Sequence, residues 1–268
     1  MNEQLALLPR YLTAHLQLTL LALLVGVSLS VPLGVLSARS PRLERPVLLV
    51  ASIVQTVPSL ALLALMVPLL AALGLPSIGT LPAFVALVLY SVLPVLRNTV
   101  TGLTGVDPAL VEAARAVGMT RREQLLRVEL PLAMPVIVAG IRTAATWTVG
   151  MATLSTPVGG VSLGNYIFSG LQTRNLTAVV VGCVAAAVLA LAIDALARLA
   201  LVGLERRRRA PLVASLVGFS ALSLFALVSL VAGAVRNGPA PVVIGAKTFT
   251  EQYILAHVMA QTIAQKTN

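Results

Sequence analysis

Apolar and polar positions along the chain segregate into long blocks rather than alternating turn by turn. Six apolar runs stand out, at about 13–38, 47–73, 80–101, 132–154, 176–203 and 212–235. A helix needs about 20 apolar residues to cross a bilayer, and each run reaches that length. The pattern predicts an all-α transmembrane bundle of about six spans. The first run is expected to remain as a span. Its apolar stretch is too long for a signal peptide, and no small-residue cleavage site opens onto a polar mature segment.

Charge sharpens this picture. Only 10% of the 268 residues are charged and 58% are hydrophobic, with a mean hydropathy of +0.96. A soluble domain is about 25% charged. The net charge is +10, and the basic residues sit mostly in three connections. Arg39, Arg42 and Arg45 lie in 37–46. Arg97, Arg115, Arg121, Arg122 and Arg127 lie in 97–130, and Arg206 to Arg209 lie in 203–211. The alternate connections are poor in positive charge: 74–79 has none and 155–175 has only Arg174. Lys and Arg stay on the cytoplasmic side of a membrane. The basic loops are therefore predicted to face in, with the N-terminus and the tail after Val235 facing out. This accounts for the basic character without a nucleic-acid partner.

Candidate chemistry is sparse. Cys183 is the one cysteine, so no disulfide framework and no Cys/His metal cluster can form, and its apolar surroundings suggest helix packing. His15 and His257 are far apart in sequence, and no catalytic constellation is apparent. Pro32, Pro58, Pro68, Pro94 and Pro135 fall inside the spans, where proline removes a donor and tends to kink a helix. They fit either bundle packing or broken helices around a pathway. Gln55, Thr56, Pro58 and Ser59, with Asn98 and Thr99 towards the inner end, are candidate pathway-lining residues. Interhelical hydrogen bonding is the alternative for them. Arg142 lies in the fourth span and Asp194 in the fifth, with Arg198 one turn further. Intramembrane charges usually pair. Arg142–Asp194, or Asp194–Arg198, is the expected pair, with a packing or a gating role.

The segment Val111–Pro131, VEAARAVGMTRREQLLRVELP, concentrates charge between two spans. Asp107 as N-cap and Pro108 at the first helical position start a helix that should run to about Val117. Gly118 is placed for a left-handed C-terminal cap. Thr120 and Glu123 form a capping box that opens a second short helix, expected to stop by Glu129, before Pro131. Ala113, Ala114 and Ala116 make a small-residue surface open to close approach. Connections in bundles take about 2–8 residues. Ordering a loop of roughly thirty costs conformational entropy that docking would offset.

Glu112-Ala113-Ala114, Gly118 and Leu130-Pro131 resemble the EAA loop of permease subunits of bacterial ABC importers. The triplet, the glycine spacing, the distal apolar-Pro pair and the cytoplasmic location all agree. QTVPSLALL (Gln55–Leu63), LPVLRNT (Leu93–Thr99), GIRTA (Gly140–Ala144) and LGNYIFSGLQTRN (Leu163–Asn175) resemble the osmoprotectant branch of that family. The resemblance covers about 12–205. It implies an ABC-importer permease fold in the cytoplasmic (inner) membrane, embedded in lipid. It also implies a second permease copy, and two copies of a separate ATPase that carries ATP and Mg and docks on the loop. This chain would bind no cofactor and catalyse no reaction. The implied cargo is a quaternary amine such as glycine betaine, choline, carnitine or ergothioneine. A methionine- or amino-acid-type permease, or a channel or scaffold without ATP coupling, is the alternative.

After Val235 the composition shifts. Arg236–Pro241 reads as a linker, Val242–Gly245 as a short strand, and a helix follows from about Glu251. That strand has no partner sheet. VVIGAKTFTEQYIL resembles the opening of the substrate-binding protein of the same branch, so Lys247, Thr248, Phe249, Thr250 and Glu251 are partial binding-domain candidates. The expected organisation is a membrane domain over 1–205 and a basic turn with an extra membrane helix over 206–236. A linker and the start of an extracytoplasmic binding domain would occupy 237–268. Only about 27 residues of that domain are expected in this chain, and the permease part could use a binding protein supplied in trans. Gly245-Ala246-Lys247-Thr248 lacks the paired glycines of a phosphate-binding loop.

Overall fold

The computed structural model describes residues 2–236, 257–259 and 261–262. These are helical or in short connections, with no strand among them. Met1–Ser229 forms one compact unit and Leu230–Asn268 a second. Of the second unit, the end of one helix, His257–Met259 and residues 261–262 are described, and all are helical. The expected strand over Val242–Gly245, and Lys247, Thr248, Phe249, Thr250 and Glu251, lie outside the described residues.

The order of elements is α1 (Asn2–Ala38), α2 (Pro41–Thr56), α3 (Ser59–Ala72), α4 (Thr80–Thr104), α5 (Pro108–Ala116) and α6 (Arg121–Gln124). A π turn (Leu125–Glu129) leads into α7 (Leu130–Ala152), and a 3-10 turn covers Thr153–Val158. Then come α8 (Gly164–Gln172), α9 (Leu176–Glu205) and α10 (Arg209–Arg236). Among the described residues, five helices are long and apolar enough to span a membrane. The α2–α3 pair makes up to six if it counts as one broken span. The second apolar run is thus not a straight helix. It bends by 102° between Thr56 and Ser59. Pro58 has no N–H and biases Val57 to the extended conformation, ψ 126°, which ends α2. Pro32, Pro68, Pro94 and Pro135 lie within helices that continue through them.

The bend is held by α4. The Tyr90 hydroxyl donates to the Val57 carbonyl. Gln55 Nε2 donates to the Tyr90 carbonyl at 3.2 Å. Pro94, four residues on, cannot donate to that carbonyl, so the Gln55 amide supplies the partner.

Helix α4 packs against α1 and α7 through small residues. A Cβ on Gly26 would sit 1.8 Å from Ser91 Oγ, and one on Gly140 would sit 2.5 Å from Asn98 Cβ. Close backbone approach replaces the hydrophobic drive that lipid cannot supply. His15 ties α1 to α7 and to the start of α8. Its Nδ1 accepts from the Leu163 N–H at 3.3 Å, so Nε2 carries the proton and donates to the Val149 carbonyl at 3.0 Å.

The two ends of the bundle are distinct. At one, Arg39 Nη2 lies 3.3 Å from Glu129 Oε1, joining two of the basic loops. At the other, the Gly79 N–H donates to the Val158 carbonyl at 2.8 Å. Helix α9 starts beside α8, where a Cβ on Gly182 would meet Tyr166. Its thirty residues rise about 45 Å, enough to bring the 203–211 turn to the first end. Val180, Val184, Val188 and Leu191 of α9 point outward with no cover, as suits contact with acyl chains. Cys183 is likewise exposed on this helix, not packed inside the bundle.

Candidate coupling loop and membrane charge pair

The loop between α4 and α7 is built from local signals. The Asp107 carboxylate accepts from the Ala109 N–H at 2.9 Å and caps α5, with Pro108 opening it. Termination is a Schellman turn. The Gly118 N–H donates to the Arg115 carbonyl at 3.0 Å and the Met119 N–H to the Ala114 carbonyl at 3.1 Å. Gly118 sits at φ +84°, in the region glycine occupies freely. Thr120 and Glu123 then cap each other. The Glu123 N–H donates to Thr120 Oγ1 at 3.3 Å, and the Thr120 N–H donates to Glu123 Oε2 at 3.0 Å. The backbone bond from Thr120, and after it the Thr120 hydroxyl, hold the Glu123 carboxyl below its ordinary range.

The second half of the loop differs from the sequence expectation. No separate helix ends before Pro131. The chain stays helical from Arg121 through the π turn into α7. The Leu130 N–H reaches back to the Leu125 carbonyl, one residue wider than an α turn. That widening lets the Pro131 ring follow without breaking the helix, at a place where α geometry would set it against the Arg127 carbonyl. The loop therefore contains one free-standing helix, α5, and a continuous helical extension of α7. Gln124 Nε2 donates to the Met119 carbonyl at 2.8 Å and fastens the turn to that extension.

Glu112, Ala113, Ala116 and Gly118 are exposed, and Pro131 is exposed on the first turn of α7. Ala114 is buried, so it belongs to the inner face of α5 and not to the open small-residue surface. Leu130 is half-buried.

The pathway candidates divide. Gln55 and Thr56 lie at the end of α2, Pro58 at the bend and Ser59 at the start of α3. Thr56 and Pro58 are exposed. Asn98 donates to the Pro94 carbonyl at 2.8 Å and packs against Gly140. Thr99 is fully buried against Gly34 and donates to the Val95 carbonyl. It cannot face a pathway, because the α1–α4 seam consumes it.

Arg142 and Asp194 meet across α7 and α9. Arg142 Nε and Nη2 donate to Asp194 Oδ1 and Oδ2 at 2.6 and 2.8 Å, a bidentate pair. Thr146 Oγ1 adds a long contact to Oδ1 at 3.5 Å. No group of three or more metal-ligating side chains occurs among the described residues. Sequence reasoning missed Tyr90, whose role depends on a neighbour 33 residues away. It also missed Trp147, beside the ion pair. The spacing of Thr143 and Trp147 on one helical face was the only available signal for the latter.

Comparison with known proteins places this geometry. Residues 30–210 match the family model of the binding-protein-dependent transport system inner membrane component. The choline transport system permease protein OpuBB of Bacillus subtilis (strain 168) is 46% identical over 180 residues, 67% of this chain and 80% of that protein. The osmoprotectant import permease protein OsmW of Salmonella typhimurium is 41% identical over 180 residues, 67% of this chain and 83% of that one. Among solved structures, inward-facing conformations of the MetNI methionine ABC transporter align with a TM-score of 0.67 at 25% identity. That alignment covers 79% of this chain and 99% of that one. The chain belongs to the family of inner membrane components of binding-protein-dependent transport systems. It is a multi-pass permease and a transport subunit, not an enzyme.

Proposed function

We propose that this chain is the permease subunit of an ATP-driven importer for a betaine-type solute: glycine betaine, choline, carnitine or ergothioneine. The observation that carries the reading is the cargo common to its relatives, permeases for choline and for glycine betaine, carnitine and choline at 46% identity. The likeness to a methionine transporter is a likeness of fold at 25% identity and favours methionine less.

In this reading two copies pack about a two-fold axis and two ATPase subunits bind ATP and Mg below them. Glu112, Ala113, Gly118 and the turn around Leu130 and Pro131 form the seat for each ATPase. The continuous helical join from Arg121 into α7 supports a lever: a push on the loop moves the whole α7 axis. The solute arrives from a binding domain outside the membrane, fused to the tail or separate. Residues 1–205 make the membrane domain and 206–236 the added turn and helix. The basic loops face the cytoplasm and the tail lies outside, where Lys247 to Glu251 would open that binding domain. Gln55, Thr56, Pro58 and Ser59 stand near the bend as pathway residues.

Uptake of radiolabelled glycine betaine into proteoliposomes tests this. The chain is reconstituted with an ATPase and a binding domain of the osmoprotectant type. Uptake that needs internal ATP and is competed by choline but not by methionine supports the reading. Competition by methionine alone would replace it with the amino-acid reading.

A further inference from the structure

The seam between α7 and α9 carries a feature that the coupling loop does not explain. Arg142, Thr143, Thr146, Trp147 and Asp194 line an open cavity of about 340 Å3. That volume lies within the range of small-molecule sites. The side chains of Arg142 and Asp194 remain 34% and 27% exposed, and Trp147 is 51% exposed. From Leu130 to Arg142 the helix rises about 18 Å, which places the pair near the middle of the membrane. Charged groups at that depth face protein or water, not acyl chains. Leu191, Asp194 and Arg198 follow one another on successive turns of α9, so the bare apolar stripe gives way at this depth to a charged wall that suits contact with water or protein.

The chemistry of the wall is specific. Asp194 uses Arg142 Nε and Nη2, and Arg142 Nη1 makes no hydrogen bond among the described residues. Arg198, exposed one turn along α9, adds a second positive charge near Asp194. The excess charge is positive, which favours a carboxylate. Trp147 offers an uncovered indole, the strongest aromatic partner for a cation. Asp194, the carboxylate here, is already paired. A primary ammonium must replace its hydration with acceptors, and it would find only the Thr143 and Thr146 hydroxyl oxygens and the remaining lone pairs of Asp194. A quaternary ammonium, which donates no hydrogen bond, is served by the ring alone.

We propose that this cavity is a transit site for a small zwitterion bearing a quaternary ammonium and a carboxylate. Trp147 takes the ammonium by a cation–π contact, and Arg142 Nη1 takes the carboxylate. The proposal rests on the betaine reading above and adds that the membrane subunit itself contacts the solute. Thr143, one turn before Trp147, and Thr146 give the site its polar wall.

Trp147 is the only tryptophan in the chain, so its emission reports on the site directly. The full chain is placed in nanodiscs without ATPase or binding domain and titrated with glycine betaine, choline, tetramethylammonium and glycine. A saturable emission change is expected with the first three and none with glycine, with choline weaker than glycine betaine for want of a carboxylate. By radioligand binding, Trp147→Ala should weaken glycine betaine about tenfold and Trp147→Phe less. Trp147 is 51% exposed, so these variants are expected to fold, which size exclusion checks. An unchanged emission, or an equal response to glycine, overturns the site. Wild-type betaine uptake by Trp147→Ala in the ATP-driven assay also overturns it and leaves the importer standing. A saturable, ammonium-specific emission change without any ATP-driven uptake would instead sink the importer reading and keep the site.

Discussion

Removing one partner of the Arg142–Asp194 pair tests whether it acts as an energetic unit. Asp194→Asn keeps the shape and leaves the guanidinium uncompensated in mid-membrane. Breaking a fully buried pair costs about 3–5 kcal/mol, while an exposed pair contributes about 0–1 kcal/mol. Both side chains are about one-third exposed, so we expect an intermediate loss of about 1–3 kcal/mol. Two hydrogen bonds at 2.6 and 2.8 Å use the planar fork of the arginine. Arg142→Lys keeps the charge but only one bond, for a loss of about 1 kcal/mol. Arg142→Gln with Asp194→Asn removes both charges and leaves neutral amides that can still bond. The double variant should therefore lose less than the two single losses combined. Equilibrium unfolding of the purified permease in mixed micelles is measured for the wild type, Arg142→Gln, Asp194→Asn and the double variant, the four corners of the cycle. Strict additivity would refute the reasoning, because it would mean that each side chain is stabilised by something other than its partner.

His15→Ala leaves the Val149 carbonyl and the Leu163 N–H without their ring partner, and should cost about 2–3 kcal/mol in the same unfolding assay. Gly26→Val drives a side chain into Ser91 across the α1–α4 seam, and should abolish assembly of a monodisperse protein on size exclusion. Gly118→Ala meets no atom within 4 Å, yet must hold φ +84°. It should cost about 1–2 kcal/mol locally, seen as faster hydrogen exchange at Met119 with little change in global stability. The Glu123 carboxyl is lowered in the folded loop, so its capping contribution is present above the unfolded value and lost as pH falls through the folded one. Exchange protection at Thr120, corrected for intrinsic rate, should hold through the ordinary glutamate range and drop only as pH falls below it, and Glu123→Gln should flatten that dependence.

What was legible in the sequence was either local or very long in scale. The caps at Asp107, Gly118 and Thr120 are read within four residues, and the structure forms each of them. The apolar runs are read over about twenty residues, and five became helices of spanning length. Intermediate distances were harder. Pro58 breaks its helix while Pro32, Pro68, Pro94 and Pro135 do not. The difference lies in partners such as Tyr90, which lies 33 residues from Val57 and outside any local window. Pro131 was read as a stop, but a wider turn absorbed it. Thr99 looked like a pathway residue because it is polar, and its burial depends on Gly34 in a helix sixty-five residues earlier. For Asp194 the sequence left two candidate partners, and Arg142, fifty-two residues away, is the one that meets it.

The central claim is that the exposed face of α5 and its glycine turn couple a separate ATPase to this membrane domain. The most direct test is solute-stimulated ATP hydrolysis by the reconstituted complex, comparing the wild type with Glu112→Ala/Gly118→Asp. Both positions are exposed and make no core contact, so the bundle itself should fold as before. The account predicts that the variant retains membrane insertion but loses stimulation by glycine betaine, and that it co-purifies less ATPase. Undiminished stimulation in a correctly folded variant would contradict it.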